Sequence, residues 1–109
     1  MTQESKLQFA LNMEEVELLT VEYWTDVIDY KWDRFSYPHE PISTNESESL
    51  RRALTRLDEI AAVIGDKHID SLRKIALERF RGPMTSDETW AAFLGSAPGL
   101  KQSETMLKP

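Results

Sequence analysis

The stretch VEYWTDVIDYKWDRFSY, residues 21–37, holds six of the ten aromatic residues of a 109-residue chain, interleaved with carboxylates. Its period decides the fold. At about 100° per residue, Glu15, Glu22, Asp26, Asp29 and Asp33 project within about 60° of one another, which makes an acidic stripe along one helix. Nearly all the rest of the circumference is apolar. Val16, Leu19, Tyr23, Val27 and Tyr30 flank one side, while Val21, Trp24, Ile28, Trp32 and Phe35 cover the back and the other side. This arc is about 200° wide, against ~100° for an ordinary surface helix. Such a helix is either the centre of a bundle, with its aromatics as core, or shared with a partner, with Tyr and Trp side chains beside acids at the surface.

Working outward, Asn12 and Glu15 stand at capping-box spacing, so the helix is predicted over about 13–35. It ends before YPHEP, residues 37–41, because proline disfavours helix in the residue preceding it. Ser43, Thr44 and Asn45 offer caps for a second helix, with Asn45 and Glu48 at capping-box spacing and Leu50, Leu54, Leu57, Ala61 and Ile64 on one face; Gly65 is its stop. Asp66 is predicted to cap a third helix through Arg81 that buries Ile69, Leu72, Ile75, Ala76 and Phe80. Thr85 and Glu88 form a further box, opening a short fourth helix around Trp90, Phe93 and Leu94 that Gly95 ends. Ahead of all this, Leu7, Phe9, Leu11 and Met13 alternate with polar residues, the period of a half-buried strand or, failing a pairing partner, of an extended or helical lead-in. The expected fold is therefore all-α: a small bundle of about four helices with a long first helix and the option of one short N-terminal strand. One domain spans residues 1–95, and the small, polar segment 96–109 is expected to be a flexible tail.

Composition narrows the function. A chain of this length buries about 65% of its unfolded surface, enough for one modest core. Cysteine is absent, which excludes disulfides, thiolate metal sites and cysteine nucleophiles and suits a reducing cytoplasm. The N-terminus has no basic region followed by a long apolar core, and no apolar run exceeds the five residues of 60–64, far short of a membrane span, so neither secretion nor insertion is expected. Charge is uneven. Residues 1–50 carry a net −8 and residues 51–109 a net +2 within a total of −6, so any acidic function lies in the first half.

The carboxylates at 22, 26, 29 and 33 have the spacing of a helical metal ligand set, yet one helix supplies only one side of a cage. The second helix offers only Asp58 and Glu59 in its interior, and no Glu-x-x-His pair occurs. No metal or cofactor is expected, and no catalytic residue can be named. His68 lies between Asp66 and Asp70, but neighbours two apart on a helix point away from each other, so it reads as part of a helix start. His39 sits in a loop stiffened by Pro38 and Pro41, where a partner could recognise it. Arginines 51, 52, 56, 73, 79 and 81 are matched by nearby acids, and with a pI of about 4.9 the chain is a poor candidate for nucleic acid. The charge points instead to a basic protein partner. The sequence reads as a small cytoplasmic binding module, most concretely a stoichiometric inhibitor or immunity-type protein. Trp24, Tyr30, Trp32 and Tyr37 would be its anchors, His39 an adjoining contact, and Glu22, Asp26, Asp29 and Asp33 the steering charges. The alternative is a homodimeric helical enzyme or small-ligand sensor with an aromatic pocket between subunits.

Overall fold

In the computed structural model, which describes residues 12–82 and 85–100, Asn12 opens the first helix as its spacing predicts. Its Oδ1 accepts the Glu15 amide at 2.8 Å, and its own side-chain amide donates to the Glu15 carboxylate at 3.3 Å. Helix α1, Met13–Ser36, then runs for 24 residues. Helix α2, Thr44–Ile64, is capped by Ser43, whose Oγ accepts the Glu46 amide at 3.1 Å; the cap thus falls two residues before the Asn45 and Glu48 pair. Gly65 alone joins α2 to α3, Asp66–Arg81, with φ +92° and ψ 158°. Only glycine adopts that conformation without strain. Because the chain reverses in one residue, Asp66 is already helical and caps nothing. No side chain caps α3, and Asp66 contributes only its charge to the first turn. Gly65→Ala is expected to cost about 1–3 kcal/mol, seen as a lower urea midpoint at unchanged slope. No atom lies within 4 Å of the added Cβ, so the loss would be backbone strain alone.

Helix α4, Asp87–Ser96, starts one residue later than the Thr85 box implies. Ser86 Oγ accepts the Thr89 amide at 3.2 Å, and the helix continues past Gly95.

Helix α1 packs extensively against both α2 and α3, which touch each other less. The short 37–43 loop makes α1 and α2 antiparallel. Glu17 meets His68 at one end of α1 and Trp32 meets Phe80 at the other, so α1 and α3 run in the same direction. The broad apolar arc is thereby explained: α1 is the central element, and Val16, Val21, Trp24, Val27 and Ile28 face a core completed by Ala53, Leu57, Ile60, Ile69, Leu72, Ala76 and Phe93. Even Thr20 is wholly buried, its hydroxyl donating to the Val16 carbonyl at 2.7 Å. At the C-terminal end of α1, Trp32 lies 5.0 Å from Phe93, 5.6 Å from Phe35, and 6.2 Å from both Phe80 and Trp90, centroid to centroid. This aromatic cluster docks the short α4 onto α1 and α3.

Three expectations need correction or limits. The ordered body does not stop at residue 95: Ala97, Gly99 and Leu100 are buried, and Pro98–Leu100 form a 3-10 turn against the core. A polar-looking segment is held there by its one leucine, and residues 101–109 lie outside those described. Ile75 is not inward-facing but 38% exposed, because the α3 face that turns inward is Ile69, Leu72, Arg73 and Ala76. The alternating segment 6–13 lies outside the described residues except for Asn12 and Met13, which cap and begin α1. No strand occurs among the described residues, and none of their helices is long and apolar enough to cross a membrane.

Candidate partner-binding face

The acids of α1 all reach the surface. Glu22, Asp26, Asp29 and Asp33 are exposed, and Asp26, Asp29 and Asp33 form one wall of a cleft of about 300 Å³ between α1 and α2. Asn45, Glu46 and Ser49 form the other wall, and half-buried Tyr30 lines the cleft with them. The geometry follows from the hairpin. Antiparallel helices joined by a short loop bring residues equidistant from the turn together, so the last turns of α1 meet the first turns of α2.

Four carboxylates therefore share one cleft, and among the described residues no ion pair neutralises them. Partial burial pushes the Asp29 carboxyl above its ordinary pKa, and the charges of Asp33, Asp26 and Glu46 push it further. Asp26 is raised for the same first reason, with Glu22 adding to it. Like charges crowded in a partly desolvated place favour whatever brings a positive charge to them. Among the described residues, no group of three or more acids and histidines is arranged to hold a metal ion.

The aromatic candidates divide. Trp24 is wholly buried and cannot touch a partner, so its expected role as an anchor is replaced by a role in the core. Trp32 is half-buried at the hub of the aromatic cluster. Tyr30 keeps its place beside the acids, and Tyr37 is 58% exposed on the following loop. His39 is exposed on that loop as well. Arg34 fixes the loop's shape, donating to the Pro38 carbonyl at 2.9 Å and also to that of Glu40. The two prolines stiffen the segment, and this guanidinium ties it to α1. Arg34 escaped sequence reasoning because backbone carbonyls leave no pattern in side-chain spacing. Glu46, Asn45 and Ser49 escaped it too, although pairing residues about the 37–43 loop would have found them.

A second cleft, lined by Tyr30, Lys31, Arg34, Phe35, Pro38, Ser96 and Ala97, adjoins the acidic one across Tyr30. The outward face of α2 carries Arg51, Arg52 and Arg56 interspersed with Glu48 and Glu59, and Arg56 bonds Glu59 at 2.8 Å. That face is of mixed charge. His68, read from its neighbours as part of a helix start, instead meets Glu17 of α1 at 2.6 Å, a cross-helix contact that local spacing could not reveal.

No protein-family model matches this chain, and neither the curated proteins nor the solved structures contain a significant match to it.

Proposed function

We propose that this protein is a small acidic binding module that engages a basic protein, most concretely as a stoichiometric inhibitor or immunity-type protein of the cytoplasm. The observation that carries this reading is the α1–α2 cleft, where Asp26, Asp29, Asp33 and Glu46 converge on one space without a counter-ion among the described residues. A partner's lysine or arginine entering the cleft would relieve the repulsion that burial and crowding create there. Tyr30 and the exposed Tyr37 supply amphipathic surface beside the charges, the side-chain type that concentrates binding energy at interfaces. Glu22 extends the negative field along α1, and His39 adjoins the face from the pinned loop. In this reading the carboxylates chiefly set orientation and on-rate, while the tyrosines hold the complex.

The alternative of a homodimeric enzyme or sensor with an aromatic pocket draws less support. The rings that would line such a pocket, Trp32, Phe35, Trp90 and Phe93, lie 5.0 to 6.2 Å apart within one protomer, which is the separation of rings packed on one another.

The test is capture of the tagged full chain's partners from its native cell extract at about 50 mM and about 300 mM salt, with light scattering of any complex rebuilt from purified components. The expected result is a basic protein held at one-to-one stoichiometry at low salt and at least about tenfold more weakly at high salt. A partner retained equally at both salts, or an uncharged partner, would overturn the proposal.

A further inference from the structure

Arg73 is the one charged side chain in the core among the described residues, 3% exposed on the inward face of α3. A guanidinium offers five N–H donors in a fork that fits a carboxylate. This one finds little. Its Nη1 donates to the main-chain carbonyl of Leu100 and its Nε forms a long ion pair, 3.6 Å, with Asp70 Oδ1, but neither Nε nor that oxygen makes a hydrogen bond. Beside the guanidinium the Leu100 side chain is wholly buried, with Ala97 and Gly99 buried before it. The segment Ala97–Leu100 thus lies as a strap in a slot that pairs an apolar pocket for a branched side chain with a buried cation at the adjoining carbonyl.

We infer that this slot is a binding site for a branched apolar side chain attached to a carboxylate, such as the C-terminal leucine of another polypeptide, and that the protein's own strap fills it with a neutral carbonyl in place of the anion. Burying a guanidinium is costly unless its donors are met. If holding the strap were its whole role, an apolar residue would pack the same space without that cost. A carboxylate would accept charge-assisted, bidentate hydrogen bonds that a single amide carbonyl cannot. Desolvation already pushes the Arg73 pKa down, with the Asp70 ion pair only partly offsetting it, so a second anion would meet a group that is only partly compensated.

The experiment uses the full chain and three probes: acetyl-Ser-Ala-Pro-Gly-Leu with a free carboxylate, the same peptide as its amide, and N-acetyl-leucine. Binding is read by tryptophan fluorescence, and release of the strap by hydrogen exchange at residues 97–100. The acid peptide is expected to bind about tenfold more tightly than the amide. It should bind Leu100→Ala about tenfold more tightly than the native chain, because the internal competitor is weakened. Arg73→Met, which keeps the length and removes the charge, is expected to erase the preference of acid over amide while the helices remain. Tighter binding of the peptide than of N-acetyl-leucine assigns the slot to chain termini, and equal binding assigns it to free branched acids. Equal binding of acid and amide, or no binding of any probe to a helical Leu100→Ala protein, would overturn the inference. If Leu100→Ala loses its helicity, the native chain decides: the acid peptide, and not the amide, should accelerate exchange at 97–100, and unchanged exchange rejects the site.

Discussion

Trp24→Ala is expected to remove about 3–5 kcal/mol of stability, a large share of the about 5–15 kcal/mol that a domain possesses. The residue is the largest wholly buried side chain and sits on the central helix among Val21, Val27 and Ile28, facing the elements packed against α1. An indole buries roughly 200 Å², and removing it leaves a cavity in the middle of the core cluster. A second substitution shows which part of the side chain matters. The indole Nε1 is buried and has no hydrogen-bond partner among the described residues, and such a donor costs about 1–3 kcal/mol. Trp24→Phe loses apolar area but also that unmet donor, so it should cost no more than about 1–2 kcal/mol and keep a cooperative transition. Urea melts followed by circular dichroism separate the two. A small loss for the alanine variant would mean that Trp24 is not the keystone of α1.

That residue also marks how far the sequence reaches. The apolar period of α1 announces a helix and an unusually wide buried arc, and local caps place helix ends to within a residue or two, because both depend on neighbours close in the chain. What covers an arc is a matter of the other helices, and one helix's periodicity does not contain it. Trp24 and Trp32 carry the same chemistry two turns apart, yet one vanishes into the core and the other becomes half-buried where α4 arrives. The acids were legible as a stripe, since solvated charges keep the helical period. The opposite wall of their cleft, Glu46 with Asn45 and Ser49, depends on the register of α2 against α1. Arg73 shows the limit most sharply: arginine on a helix reads as surface, and only the packed helices show it turned inward on α3, with its Nη1 on the Leu100 carbonyl 27 residues later.

Replacing Asp26, Asp29 and Asp33 together by asparagine is expected to slow association with a basic partner by about 10- to 100-fold at low salt and to close most of that gap above about 0.3 M. The same change should stabilise the free domain slightly, by about 0.2–0.5 kcal/mol for each like-charged helical pair removed. The pH dependence of these effects gives the sharper prediction, and its sign follows from the direction in which the folded state shifts the two carboxyls. Asp26 and Asp29 sit above the ordinary value of 3.8 in the folded chain, so between that value and their raised pKa values the folded state holds protons that the unfolded state releases. Stability contributed by these groups therefore rises as the pH falls through this window, and is lost as the pH climbs above it. Affinity runs the other way, since a partner's cation must displace those protons, and the complex should weaken over the same fall in pH. The measurement is the difference between the native chain and the triple variant, in denaturant melts and in partner titrations across the same buffers, so that every contribution common to the two chains cancels. Both differences should shrink together toward low pH if one cleft is responsible for the repulsion and the recognition. A stability difference that shrinks while the affinity difference stays constant would separate them, and would place the partner elsewhere on the molecule.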